Sequence, residues 1–196
     1  MSDKDRTVFI YHFALVFTLW MVPFATTLVL HPSMERYDDL LISNNEQISS
    51  IIVQIKHSLD TKDSFRAFVL IFSNNIKGCA INIFSGVLFA IGTIFNVIIN
   101  GFITADMLAN AHRLGMPVQK IISTTLPHSF ELFGFWLSGA IGFYLAWRMS
   151  LFVFKGQYMD KNVLKTILVL TSVVVFIILL AAYVEAYISI NELTIG

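Results

Sequence analysis

Long apolar stretches alternate with short polar segments along most of the chain. Residues 9–30 contain no Asp, Glu, Lys or Arg, and a helix of that length, rising about 1.5 Å per residue, crosses a hydrocarbon core about 30 Å thick. Comparable stretches recur to the end of the chain. We predict transmembrane helices over about 9–30, 67–90, 94–111, 131–154 and 163–190. The expected fold class is an all-α polytopic membrane helical bundle, with residues 1–196 forming a single domain.

The stretch that begins at residue 65 is apolar but too long for one span, and asparagines and glycines interrupt it. Two helices joined by a tight turn near Gly92 and Thr93 would use its length. Small residues let helix backbones approach closely in a membrane, where lipid supplies no hydrophobic drive between helices. The residues for which we predict this packing role are Gly86, Gly92, Gly101, Ser138, Gly139 and Gly142.

Between the first two predicted spans, residues 31–63 are polar and carry more acidic than basic side chains. Within this segment Ile48, Ile51, Ile52, Ile55 and Leu59 recur at three- and four-residue spacing, which lines one face of a helix. We therefore predict an extracytoplasmic amphipathic helix over about 45–60, lying on the outer membrane surface or across the other helices. Covering the bundle is its simpler role, and binding a partner is the alternative.

Composition strengthens the membrane assignment, since 56% of residues are hydrophobic, 13% are charged and the mean hydropathy is +0.73. The net charge of zero gives no field that would recruit nucleic acid. The most basic loop holds Arg148, Lys155, Lys161 and Lys165 against Asp160 alone, which predicts a cytoplasmic position. Five spans then put the N-terminus in the cytoplasm and the C-terminus outside.

The start of the fourth predicted span carries the most unusual chemistry in the chain. Pro127, His128 and Glu131 stand together there, and a carboxylate in a first turn interacts favourably with the free N–H groups and the positive end of the helix dipole. Pro127 at the helix start fits the same structural role. Ionisable groups near a bilayer are also functional candidates, so coupling to a proton or a substrate is the alternative.

Further polar residues in the second and third spans can bridge helices by hydrogen bonds or line a polar pocket with Glu131. The predicted functional polar cluster consists of His128, Glu131, Asn74, Asn75, Asn100 and Asp106. His128, Glu131, His112 and Asp106 lack the spacing of a metal site, and the one cysteine, Cys79, has no partner for a disulfide. We expect no metal and no cofactor.

Three local patterns resemble the stage II sporulation protein M family. They are FSNN at 72–75, the glycine-rich helix pair that closes on Asn100 and Gly101, and LPHSFELFGFWLSGAIG at 126–142, where Ser129 stands in place of the usual glycine. The resemblance implies a multi-span bundle in the cytoplasmic membrane of a prokaryote. Family members are similar to scaffolds for envelope proteins or to membrane subunits paired with ATP-binding-cassette ATPases, and some are associated with bacteriocins.

On this basis we expect a non-enzymatic integral membrane subunit, acting as a permease-like or scaffold component of a transport or envelope complex. The implied partners are membrane lipid, an ABC-type ATPase or an envelope protein, further copies of the chain, and a peptide substrate, with no nucleic acid. One alternative is an intramembrane, protease-like enzyme that uses His128 and Glu131. Another is a stand-alone immunity protein against a membrane-active peptide.

Overall fold

The computed structural model describes residues 3–30, 63–125 and 128–189. The amphipathic helix predicted over 45–60, the side chain of His128, and Pro127 lie outside the described residues. Within these ranges the chain forms helices α1 (Asp3–Leu30), α2 (Ser64–Ser85), α3 (Ile91–Arg113), α4 (Val118–Thr125), α5 (His128–Lys155) and α6 (Lys161–Val184). A 3-10 turn, Gly86–Leu88, follows α2, and a π-helical turn, Glu185–Ser189, follows α6.

Five of these helices are long and apolar enough to cross a membrane, namely α1, α2 with its 3-10 turn, α3, α5 and α6. This confirms the predicted all-α polytopic bundle. Helix α4 has eight residues and lies in the connection between the third and fourth spans. Helix α2 begins where the Asp63 carboxylate accepts a hydrogen bond from the backbone N–H of Arg66 at 3.0 Å, which satisfies one free donor of its first turn.

The turn between the second and third spans differs from the prediction. The chain reverses over residues 86–90, where Phe89 and Ala90 adopt the left-handed conformation with φ of 56° and 61°. Gly92 and Thr93 belong to α3. Gly92 serves close packing rather than the turn, because a Cβ atom there would overlap the Ser85 hydroxyl at the end of α2. The prediction of a turn near Gly92 and Thr93 was therefore wrong.

Helix α5 is the central helix of the bundle, since it contacts each of the other four spans. Its buried Ile141 and Tyr144 pack into a core that includes Val16 of α1, Val97 of α3 and Ile178 of α6. Many apolar side chains on the outer helix faces are exposed, as expected where lipid is the solvent. A smaller cluster joins α2 to α6 and its π-helical turn through Ala67, Ile71, Ala182 and Ala186.

The five spans place the helix ends on two membrane faces. One face, here called the N-terminal side, holds the start of α1, the turn at 86–90 and the loop between α5 and α6. An ion pair between Asp5 and Arg148, with 3.6 Å between Oδ1 and Nη1, ties the start of α1 to the end of α5 on that side. The other face, the opposite side, holds the end of α3, helix α4 and the start of α5.

Candidate functional site

A hydrogen-bonded polar core joins α2, α3 and α5 in the interior of the bundle, and it consists of Asn82, Thr93, Asn96 and Ser138. The Asn82 amide donates to the Ser138 hydroxyl at 2.9 Å, and its own oxygen accepts from the Asn96 amide at 2.8 Å. The Thr93 hydroxyl donates to the backbone carbonyl of Asn82 at 2.8 Å. Asn82, Thr93 and Ser138 are fully buried. One asparagine therefore holds three helices together.

The hairpin of α2 and α3 explains why these residues meet. Residues at similar distances from the turn at 86–90 lie near each other, which brings Asn82 close to Thr93 and Gly78 close to Asn96. The Asn96 amide also donates to the backbone carbonyl of Gly78 at 3.0 Å. The Ser138 hydroxyl in turn donates to the carbonyl of Phe135 in its own helix at 2.6 Å. Each donor of the polar core is thus bound within the bundle.

Glycines bring the three backbones close enough for these bonds. A Cβ atom on Gly142 of α5 would overlap the carbonyl oxygen of Asn82 and lie 2.9 Å from the Thr93 hydroxyl. A Cβ atom on Gly86 would lie 2.5 Å from the carbonyl oxygen of Gly142. On the other side of α5, a Cβ atom on Gly139 would lie 2.9 Å from Val16 of α1. Helices α2, α3 and α5 therefore interlock tightly around the polar core.

The predicted asparagines and Asp106 make contacts in different places. Asn74 donates to the Asn75 side chain at 3.5 Å on α2, and Asn74 is exposed. Asn100 accepts a hydrogen bond from the Trp20 indole at 2.9 Å, which joins α3 to α1. Beside it a Cβ atom on Gly101 would overlap the Trp20 carbonyl. Asp106 accepts from Asn110, one turn further along α3, at 3.1 Å.

Glu131 lies in the first turn of α5, where the free N–H groups and the helix dipole favour a carboxylate. Its side chain is half-buried. His128 is the first residue of α5. In the described ranges, no three His, Cys, Asp or Glu side chains come together in a way that could hold a metal ion.

A second polar region, here called the loop groove, lies on the N-terminal side beside the Asp5–Arg148 ion pair. It has a volume of about 600 Å³ and is open to the outside. Its polar lining comes from the start of α1, the middle of α5 and the start of α6: Asp5, Tyr144, Asp160, Asn162, Lys165 and Thr166. Carboxylates and an ammonium group thus share one groove next to the basic loop.

Aromatic side chains pack beside this groove. The His12 ring stacks on Phe143 with 6.2 Å between ring centroids, and Trp147 lies 6.4 Å from it. The His12 Nδ1 atom and the Tyr144 hydroxyl are buried and make no hydrogen bond of ordinary geometry within the described chain. The Arg148 guanidinium lies 5.6 Å from the centre of the Trp147 ring, within range of a cation–π interaction.

Sequence reasoning did not identify the polar core or the loop groove as sites. The pair of Asn82 and Asn96 is visible as polar residues in apolar helices, but their meeting depends on where the turn lies. The ion pair of Asp5 and Arg148 joins residues at the start of the first span and the end of the fourth. Four spans lie between these two positions along the chain, and an even number of crossings puts both on the same membrane face.

Comparison with known proteins agrees with the architecture. A sequence model of the family described as stage II sporulation protein M matches residues 7–190. An uncharacterised protein of Methanocaldococcus jannaschii is 25% identical over 149 residues, which cover 74% of this chain and 79% of the relative. No solved structure matches the chain. Because the family match includes all five spans, the protein belongs to the stage II sporulation protein M family of membrane proteins.

Proposed function

We propose that the protein is a non-enzymatic scaffold subunit of a membrane complex, which holds a cytoplasmic partner against the loop between α5 and α6. The observation that carries this proposal is the closed interior. The polar core of Asn82, Thr93, Asn96 and Ser138 uses its donors within the bundle, and glycine contacts pack the helices around it. A scaffold needs such a fixed interior, whereas a permease needs a polar path between its helices.

The basic loop and the adjacent loop groove support the position of the partner. Lys155, Lys161 and Lys165 are exposed on the N-terminal side, and positive charge in a loop favours the cytoplasmic face. The groove offers both charged and hydrogen-bonding groups at the same place. We place the protein in the cytoplasmic membrane with this face inward, so that a soluble ATPase of the ATP-binding-cassette class is the partner that fits.

The experiment is affinity purification of the tagged full-length protein from its host in a gentle detergent, with mass spectrometry of the bound proteins. We expect an ATPase in fixed ratio, and we expect its yield to fall at least several-fold when Lys155, Lys161 and Lys165 are all changed to Gln. The matched control changes Arg113 and Lys120, exposed on the opposite side, to Gln and should retain the partner. Equal yields from both variants would contradict the proposed docking face.

A further inference from the structure

Helix α2 has a lysine, Lys77, near the middle of its span, on the face that points away from the bundle. Lys77 lies 13 residues after Ser64 and 11 residues before Leu88, the two ends of this span. At about 1.5 Å per residue these separations correspond to about 20 Å and about 16 Å along the helix. Lys77 is exposed, and no hydrogen bond or ion pair joins it to any described residue. Its ammonium group therefore lies on the outer surface of the described part of the bundle, near the middle of this span.

The exposed position is costly for the isolated protein. Charged side chains within membrane spans usually face the bundle interior or a water-filled cavity and pair with another group. Lysines near helix ends avoid the cost by extending their ammonium group to the interface. Lys77 is too far from both ends of α2 for a four-carbon side chain to cover the distance. The charge requires a partner at its own depth in the membrane.

The surroundings of Lys77 have the form of a helix-packing face. Lys77, Ile81, Phe84 and Leu88 follow one another at four- and three-residue spacing, which forms a stripe along α2. Together with Ala80 and Ser85 they line a shallow groove of about 530 Å³. Ala80 and Ser85 are small and allow another helix to approach the backbone closely. This α2 stripe offers apolar contacts along three turns and one positive charge at mid-depth.

We propose that the α2 stripe binds a transmembrane helix of a partner protein, and that this helix carries an Asp or Glu opposite Lys77. The proposal rests on the proposed function, for which it names a second, membrane-embedded partner. Charge complementarity selects the carboxylate, since an ion pair neutralises the ammonium group in the low dielectric of the membrane. Apolar residues on the partner helix would cover Ile81, Phe84 and Leu88.

A second copy of the chain does not supply this carboxylate from its described spans. Asp106 lies 7 residues before the end of α3, and Glu131 lies 3 residues after the start of α5, which places them within about 10 Å and about 5 Å of the opposite side. Glu185 lies at the end of α6, on the same side. All three also have interactions within the chain. In a copy of the same orientation, none of them reaches the depth of Lys77.

The test uses full-length protein in phosphatidylcholine vesicles with a synthetic Leu- and Ala-rich transmembrane peptide as the probe. Energy transfer between a donor on the protein terminus and an acceptor on the peptide reports association. We expect the peptide with one central Glu to bind about tenfold more tightly than the peptide with a central Gln, the order expected of one strong polar contact between membrane helices. Lys77→Gln should remove this preference, and the control Lys4→Gln, at an exposed lysine at the start of α1, should keep it.

The charge-reversal variant Lys77→Glu shows whether a loss of binding in Lys77→Gln comes from misfolding. Lys77→Glu should bind a peptide with a central Lys in preference to the peptide with a central Glu. Equal binding of the Glu and Gln peptides by the unaltered protein would overturn the proposal. So would energy transfer between two labelled copies of the protein that Lys77→Gln abolishes, because a second copy would then occupy the stripe. The vesicles contain no cytoplasmic ATPase, so this result is independent of the co-purification test of the proposed function.

Discussion

Replacing Gly142 by alanine tests the packing that holds the polar core together. Gly142 of α5 lies against the backbone of α2, where an added Cβ atom would overlap the carbonyl oxygen of Asn82. That oxygen belongs to the helix backbone and accepts the hydrogen bond from Thr93. It cannot move aside as the end of a flexible side chain would. The substitution therefore forces α5 away from α2 and α3.

The expected magnitude follows from three effects. Overpacking a well-packed interior costs about 1 to 3 kcal/mol. Weakening the hydrogen bond from Thr93 to Asn82 costs about 0.6 to 2 kcal/mol more. Alanine in place of glycine within a helix recovers up to about 1 kcal/mol through helix propensity. Combining these effects, we expect Gly142→Ala to lower the free energy of unfolding by about 0.6 to 5 kcal/mol.

Gly78→Ala provides the matched control. An added Cβ atom on Gly78 would lie 3.5 Å from the Phe135 ring, which is an ordinary van der Waals contact, so this variant should be as stable as the original protein or slightly more stable. Unfolding by SDS in mixed micelles, followed by the fluorescence of the three tryptophans, gives both free energies. If the two variants agree within about 0.5 kcal/mol, the close approach at Gly142 does not exist as described.

Three further substitutions test other parts of the structure. Asn82→Ala should lower the free energy of unfolding by about 1 to 3 kcal/mol because Asn96 and Ser138 lose their common partner, and a loss below that range in the same SDS assay would contradict the polar core. A double-mutant cycle of Asp5→Asn and Arg148→Gln should give a coupling energy of about 1 kcal/mol, since both side chains are only 16% exposed, and zero coupling would refute the ion pair. Glu131→Gln should keep both the fold and the yield of co-purified ATPase, whereas loss of the partner with an intact fold would assign Glu131 a role in the complex.

The sequence was most informative about the spans, because crossing a hydrocarbon core imposes a length and an apolar composition that can be read along one dimension. The turn between α2 and α3 was less visible. Phe89 and Ala90 take the left-handed conformation that usually indicates glycine, while the nearby Gly92 lies in a helix against Ser85. A glycine in a membrane protein serves either a turn or a close helix contact, and its local sequence does not separate the two.

Which polar residues meet depends on how each helix is rotated about its axis. Asn82 and Asn96 could be recognised as polar residues in apolar helices, but only the position of the turn brings Asn82 to Thr93 and Ser138. Lys77 appeared in the sequence as one more polar interruption of the second span. Its outward direction became evident only once the inward face of α2 was known to be that of Cys79 and Asn82.

The two faces of α2 differ in whether their polar groups are bound within the bundle, and this difference supports the proposed role as a subunit of a membrane complex. On the inner face Asn82 satisfies groups from three helices, so the bundle gains stability without leaving donors for a ligand there. On the outer face Lys77 lies at mid-depth with no partner in the described chain. A polar group that only served stability would be expected on the inner face, where it could pair. An unpaired charge on the lipid face costs the isolated bundle about 2.5 to 3.5 kcal/mol on insertion scales, and a carboxylate on a neighbouring helix would recover part of that cost.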